Sequence, residues 1–415
     1  MGLRARIASR VLSFAATEVK NQVLLRIASL LDESRPAVSA ANQIDIDNAV
    51  ASGMSAALVD RMTLTDARLG GLSHDLRAIA RLPDPIGERF DAVTLPNGMK
   101  LSRQRAPLGV LGVIFESRPS VILDIAGLSI KTGNTVIMRG GKETIHSNRA
   151  LAEIIRKALR ENSMPGEAVQ YIDDPDRNLV LELLKLHDYV DVIIPRGGEG
   201  LMRFCRENSR IPVITGGVGI CHIFVDQSAD LEKSLPVIHN AKTQRPSVCN
   251  ALDTLLVHKA VAARILPRVV ELLAPSGVTF RAHPSAMEYL AGVRDDIVRP
   301  ADVEDFDTEW MSLVLGLKVV DGIDDAIGHV NAHSLGHSDS ILTEDASSAA
   351  RWINEVDSAA VYVNASTRFT DGGQFDLSAE VAVSTQRIHA RGPMGLRELT
   401  TNKWVGEGNY LVRDS

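Results

Sequence analysis

At 415 residues and 44.9 kDa the chain exceeds what one small core serves, and its length points to roughly two or three structural units. Hydrophobic residues at 45% and charged residues at 23% are ordinary for a globular protein and leave no room for a long disordered tract. A net charge of -7 provides no basic field for nucleic acid or an anionic membrane, so an anionic ligand needs a local pocket, and small-molecule chemistry is favoured.

Cys205, Cys221 and Cys249 match neither a disulfide framework nor Cys-x-x-Cys zinc spacing, which implies a reducing, cytoplasmic setting. No apolar run approaches the roughly 20 residues that span a bilayer, and Met1 to Arg6 lack a signal-peptide core. The early arginines leave a transit peptide open, but Ile7, Val11 and Phe14 at helical spacing favour a surface helix. To about residue 80 apolar residues recur at three and four, as in Val23-Leu24, Ile27 and Leu30-Leu31, predicting amphipathic helices. Pro96-Asn97-Gly98 between 92–95 and 100–103 is a hairpin signal, because Asn-Gly accepts positive φ.

Short apolar strands then alternate with helical stretches, at 109–114, 135–138, 168–172, 190–194 and 212–214. A second set follows at 254–257, 317–320, 340–342 and 360–363. Such alternation predicts parallel, doubly wound sheets, hence two α/β domains. The stretch from Val381 to Leu411 is too thin for its own core and needs a partner, either the early hairpin or another subunit.

Cys249 sits in Asn240-Ala241-Lys242-Thr243-Gln244-Arg245-Pro246-Ser247-Val248-Cys249-Asn250, a polar, cationic turn before a strand. Positive charge and free backbone N–H groups favour a thiolate, and Lys242 and Arg245 are placed either to supply that charge or to bind an anionic substrate group. A small apolar residue at a strand edge is the plainer reading of any cysteine, and it suffices for Cys205 and Cys221. The histidines, His222, His239, His333, His337 and His389 among them, show no metal-ligand spacing, and no metal site is expected.

The Cys249 segment resembles the nucleophile segment of the aldehyde dehydrogenase superfamily. So do Pro107 to Ile114 and Lys131 to Arg139, which are similar to its cofactor-domain strands, and Val361-Tyr362-Val363-Asn364, which is similar to its late Val-Asn strand. Within it, Arg139 to Glu143, Ile194 to Gly198, Pro212 to Gly219, Asn240 to Cys249 and Val363 to Gly373 resemble the gamma-glutamyl phosphate reductase family over nearly the whole chain. The resemblance implies an aldehyde-dehydrogenase-like fold with two doubly wound α/β domains and a β oligomerisation arm. It places a cofactor-binding domain at 1–90 and 107–229, the catalytic cysteine domain at 230–364, the arm and tail at 91–106 and 381–415, and a return loop lining the cleft at 365–380.

The same resemblance implies NADPH-dependent reduction of L-glutamyl 5-phosphate to L-glutamate 5-semialdehyde, with release of phosphate, in proline biosynthesis. Cys249 attacks the acyl phosphate and forms a thioester that hydride from NADPH reduces. Hydrolytic relatives carry a water-activating glutamate where this chain reads Ile214-Thr215-Gly216-Gly217, so hydrolysis is disfavoured. The Cys249 N–H is the expected first oxyanion donor; Glu116-Ser117-Arg118-Pro119 replaces the usual asparagine, which leaves Arg118 to face either oxyanion or phosphate.

No Gly-x-Gly-x-x-Gly follows a strand. The resemblance instead assigns the turn Arg139, Gly140 and Lys142 to the adenosine ribose and 2′-phosphate, and Gly197-Gly198 with the next helix start to the diphosphate. Gly197-Gly198 also reads as a plain tight turn, and Glu309, matched to a glutamate at the nicotinamide ribose, also reads as a surface carboxylate. Ser366, Thr367 and Arg368 are expected at the substrate's amino-acid end, Arg368 on the α-carboxylate and Asp371 facing the ammonium, with simple packing of the loop as the alternative. A homo-oligomer is expected, as is transient contact with the glutamate kinase that makes the acyl phosphate. The rivals are another aldehyde dehydrogenase, hydrolytic or CoA-acylating, and a catalytically silent binding protein on this scaffold.

Overall fold

The computed structural model describes residues 1–216, 219–294, 296–377 and 380–413. Gly217 and Val218 of the Pro212 to Gly219 motif, and Ser378, Ala379, Asp414 and Ser415 of the return loop and tail, lie outside the described residues. The chain divides into two compact units. The first holds 1–215, 376–382 and 394–415, and the second 216–375 and 383–393.

The first unit opens with helices α1 (Gly2–Leu12), α2 (Thr17–Glu33), α3 (Arg35–Ala51), α4 (Ala56–Met62) and α5 (Asp66–Arg81). In α2 the expected stripe is buried at Val23, Leu24, Ile27 and Leu31. Strands β1 (Arg89–Thr94) and β2 (Lys100–Pro107) form the predicted hairpin, and Gly98 takes φ +88° at its tip. The late strand Thr400–Glu407 pairs antiparallel with β2, from Thr400 opposite Pro107 to Glu407 opposite Lys100. Of the two partners open to the tail, the structure therefore supplies the hairpin.

Next come β3 (Val110–Phe115), α6 (Val121–Lys131), β4 (Thr135–Arg139), α7 (Ile145–Glu161), β5 (Val169–Tyr171), α8 (Asn178–Lys185), β6 (Val192–Arg196) and α9 (Glu199–Asn208). The four strands form a parallel sheet in the order β5-β4-β3-β6. Every residue of β3 and β4 is buried, as a strand covered on both faces requires. The order turns back between β3 and β6, and at such a switch point a crevice opens beyond the carboxyl ends of the strands. The stretch 212–214, expected as a strand, forms only a bridge from Val213 to Ile193. Pro212 has no N–H to donate, and its carbonyl accepts from the Ile193 N–H.

The second unit contains β7 (Cys221–Val225), α10 (Leu231–Thr243), β8 (Leu252–His258), α11 (Lys259–Leu273), β9 (Thr279–Ala282), α12 (Pro284–Met287), β10 (Val298–Pro300), β11 (Val314–Val320), α13 (Ile323–His333), β12 (Ser338–Leu342), α14 (Ala346–Glu355) and β13 (Ala360–Val363). These strands make one parallel sheet in the order β10-β9-β11-β8-β7-β12-β13. β7 thus joins the cysteine-bearing sheet instead of the 107–229 stretch. Strands β9 and β10, which are not among the expected strands, are only four and three residues long. A histidine group sits inside this unit: the His222 and His329 rings meet edge to face at 5.4 Å, His329 and His333 lie 4.3 Å apart, and His222 Nδ1 is 2.9 Å from Asp339 Oδ1. Burial, with His222, Lys318, His333 and His283 nearby, pushes His329 down to about 2, so its ring is neutral.

Candidate active site

Cys249 lies in the turn between α10 and β8 and is half-buried. The backbone around it is fixed by side chains. Asn250, itself 4% exposed, donates its amide to Thr370 O at 2.8 Å, and its own carbonyl accepts the Thr367 hydroxyl at 2.7 Å. The Cys221 thiol donates to the Cys249 carbonyl at 3.2 Å. Gly219 presses on that same carbonyl so closely that a Cβ there would stand 1.8 Å from the oxygen and 3.2 Å from the His337 ring. The Gly219 N–H donates to Glu309 Oε1 at 3.1 Å, which brings Glu309 beside the cysteine turn.

The structure brings the turn together with the loop 366–371. Arg368 is half-buried, and its Nε donates to Gln244 Oε1 at 2.9 Å. Burial lowers its pKa, and Asp371 and Cys249 draw it back up, while neighbouring Arg245 opposes them. Arg245 and Asp371 are exposed, and an Asp371 oxygen accepts the Gly373 N–H at 2.9 Å. Ser366 and Thr367 are buried, the first capping the short turn with its oxygen on the Arg368 N–H at 3.3 Å. Their hydroxyls hold backbone in this conformation.

Lys242 departs from its expected substrate contact. It is fully buried, donates to Leu252 O at 2.8 Å, and lies 3.8 Å from Asp253. Burial pushes this lysine down and the aspartate up, and with its ammonium enclosed and bonded to Leu252 O, Lys242 fastens α10 to β8 and does not reach an external anion.

In the first unit the candidate cofactor turns follow β4 and β6. Arg139 also departs from expectation: it is 8% exposed, with its guanidinium donating to Gly140 O at 2.5 Å and Pro175 O at 2.9 Å. Its cation braces the turn, and exposed Lys142 is the one of the pair open to a ligand phosphate. Gly140 is required by space, because a Cβ there would lie 2.4 Å from the Asn148 amide. Beneath the turn, buried Asp45 on α3 accepts the Ser147 N–H at 2.8 Å and its hydroxyl at 2.6 Å, capping α7. Gly197 and Gly198 lead exposed into α9, and Glu116 Oε2 accepts the Gly198 N–H at 3.1 Å across the switch point. Ser117, at φ +48°, donates its N–H and hydroxyl to Glu143, both at 2.9 Å, tying the loop that carries Arg118 to the Lys142 turn.

Several participants escaped the sequence. Asn250, Gly219, Thr370 and Glu116 adjoin or belong to motifs already noted, yet only the fold shows what they touch. Asp124 on α6 carried no sequence signal; its burial, with Asp75 nearby, pushes it up to about 7 against the pull of Arg196 and Arg118.

The family model described as "Aldehyde dehydrogenase family" matches residues 5–279. Gamma-glutamyl phosphate reductase of Photobacterium profundum is 55% identical over 413 residues, covering 100% of this chain and 99% of that protein. That of Roseiflexus castenholzii is likewise 55% identical, with 100% and 98% covered. Among solved structures, gamma-glutamyl phosphate reductase from Thermotoga maritima superposes with a TM-score of 0.96 at 47% identity, covering 100% of this chain and 99% of that one. An acetylating aldehyde dehydrogenase from Geobacillus thermoglucosidasius shares the fold, with a TM-score of 0.70 at 18% identity. A cysteine held in a braced turn before a strand, glycine turns at a parallel sheet's switch point, and full-length identity of this order lead to one conclusion: the chain belongs to the aldehyde dehydrogenase family, among its gamma-glutamyl phosphate reductases.

Proposed function

We propose that this chain reduces L-glutamyl 5-phosphate to L-glutamate 5-semialdehyde with NADPH, releasing phosphate through a thioester on Cys249. The observation that carries the reading is the Cys249 turn, half-buried at the sulfur-bearing residue and braced at the Cys249 and Asn250 carbonyls and at the Asn250 amide, beside the Arg245 and Arg368 cations. The relatives' shared name supports the substrate.

The residues fit a nicotinamide dinucleotide. Nothing lies within 4 Å of a Cβ built at Gly198 or Gly200, so the α9 start is open to a diphosphate, and Lys142 stands ready for a 2′-phosphate. When bound, the cofactor supplies the hydride. The protein's part begins with the Cys249 thiolate attacking the acyl carbon, displacing phosphate and storing the acyl group as a thioester. Backbone N–H groups at the cysteine turn, with Arg118 as a further candidate donor, receive the carbonyl's developing negative charge. Arg245 and Arg368 neutralise the phosphate and the α-carboxylate, and Asp371 meets the ammonium group. The hairpin with its third strand, Thr400–Glu407, exposes Trp404 and Val93 and would serve as the contact between copies. No described helix is long and apolar enough to cross a membrane.

The test runs the stable direction, phosphate-dependent reduction of NADP by glutamate 5-semialdehyde. Turnover that needs phosphate and disappears in Cys249→Ala is expected. Turnover indifferent to phosphate would instead mean hydrolysis, and full activity without the thiol would remove Cys249 as nucleophile.

A further inference from the structure

Gln244 has no part in the thioester scheme, yet its side chain holds the arginine assigned to the substrate's amino-acid end. It caps α10, with its N–H on Asn240 O at 3.3 Å, and its Oε1 accepts from Arg368 Nε at 2.9 Å. The backbone at each end of this bond is fixed by other groups. Lys242 fastens α10 to β8 through Leu252 O. The loop of Arg368 is held by the Asn250 amide on Thr370 O and by Ser366 Oγ, which accepts the Arg368 N–H. Gln244 is exposed and Arg368 half-buried, so their bond borders solvent. Between two segments already fixed, such a bond adds little to the fold; what it sets is the direction of a long, rotatable side chain.

We propose that Gln244 is the positioning residue for Arg368, turning the guanidinium so that its Nη1 and Nη2 end takes the substrate's α-carboxylate. The proposal rests on the reading of Arg368 as that carboxylate's partner. Nε can only donate, so the Gln244 amide is set with its oxygen on the arginine. A guanidinium grips a carboxylate with two parallel bonds, either through Nε and one Nη or through both Nη groups. Gln244 occupies the first edge and leaves the second. The neutrality of the partner matters as well. A glutamate at 244 would make the same bond and cancel the charge, whereas an amide holds the plane and leaves the cation for the ligand. Burial lowers the pKa of Arg368, the sign of a cation short of solvent, and an arriving carboxylate makes good that loss.

The experiment compares Gln244→Met, of similar length but without the acceptor, and Gln244→Glu with wild type in the NADP-reducing assay, with thermal unfolding alongside. Each is run on glutamate 5-semialdehyde and on 4-aminobutanal, the same aldehyde without the α-carboxylate. Expected in both variants is a KM for glutamate 5-semialdehyde about tenfold higher, with kcat within about twofold. On 4-aminobutanal, kcat/KM should stay within about twofold of wild type, because that substrate has nothing for the arginine to grip. In an Arg368→Ala background, Gln244→Met should add no further loss, since the residue acts only through the arginine. A wild-type KM in either variant would overturn the proposal. So would equal losses on the two aldehydes, which would make Gln244 a support of the cysteine turn, or additive losses in the double variant. Arg368→Ala with an unchanged KM for glutamate 5-semialdehyde would instead remove the reading of Arg368 on which the proposal rests.

Discussion

The cysteine turn of the second unit and the glycine turns of the first are built in opposite ways. Around Cys249 the backbone of the turn is held by buried, committed side chains, as Asn250 is to Thr370 and Thr367, and Lys242 is to Leu252, while the cations Arg245 and Arg368 stay open or half-open. Around Gly197-Gly198 and Lys142 the groups that would face a ligand are exposed, and among the described residues Gly198 has one side-chain contact, an exposed bond from its N–H to Glu116. A nucleophile must be held within fractions of an ångström of its reacting geometry, whereas a site for a dissociable dinucleotide has to open and close. The difference separates what should alter kcat from what should alter KM.

Gly219→Ala presses hardest on that contrast. Its Cβ would overlap the Cys249 carbonyl, where backbone rather than a flexible side chain must move. A fall in kcat of about a hundredfold or more is expected, with the KM for NADP little changed. A KM effect alone would mean that the cysteine turn yields easily. Lys142→Ala should do the reverse, raising the NADPH KM about tenfold with kcat nearly constant, because an exposed point charge contributes mainly to binding. Steady-state kinetics with NADPH and NADH would show whether the loss is confined to the 2′-phosphate form.

The smallest effect is one of pH and separates the units' interiors. His329 is neutral when folded, with its pKa depressed from 6.5 to about 2, whereas in the unfolded chain it binds a proton below about 6.5. Its contribution is therefore intact above pH 6.5 and declines by at most about 1.4 kcal/mol for each pH unit below that. Asp124 has the opposite sign. With its folded pKa raised to about 7, it favours the folded form most below about pH 4 and loses that contribution as pH rises through 7. Hydrogen exchange, corrected for intrinsic rates, should show α13 opening more readily at pH 5 than at pH 7, and α6 less readily. The same direction in both helices would contradict one of the two assignments.

What could be read from the sequence follows from how local the signal was. Strands with continuous apolar runs, such as Val110 to Phe115, were plain because a strand covered on both faces has nothing but apolar residues to show. Val213 looked the same and is not in a ladder, because the proline before it has no N–H to give. Cys249 stood out through its cationic surroundings, but the lysine among them turned inward. A lysine's four-carbon stem reaches in either direction, and nothing adjacent in sequence showed that the Leu252 carbonyl would be its partner. Arg139 misled for the same reason, its partners Gly140 and Pro175 being fixed by the fold. The hydrogen bonds that link His337, Ser338, Thr370 and Tyr362 join the start of β12, β13 and the loop after it, a meeting that no spacing announces.

The strand Thr400–Glu407 has a consequence for how the chain is made. It closes a ladder begun by the hairpin, and the ion pair between Arg89 and Glu407 joins positions 318 apart. During synthesis the outer edge of β2 therefore emerges long before its neighbour exists, and it waits with its N–H and C=O groups unpaired while the rest of the polypeptide is translated. Arg103 and Arg105 point cations over the Phe90 ring on this sheet. Charge of that kind on a waiting edge discourages a neighbouring nascent chain from completing the ladder first.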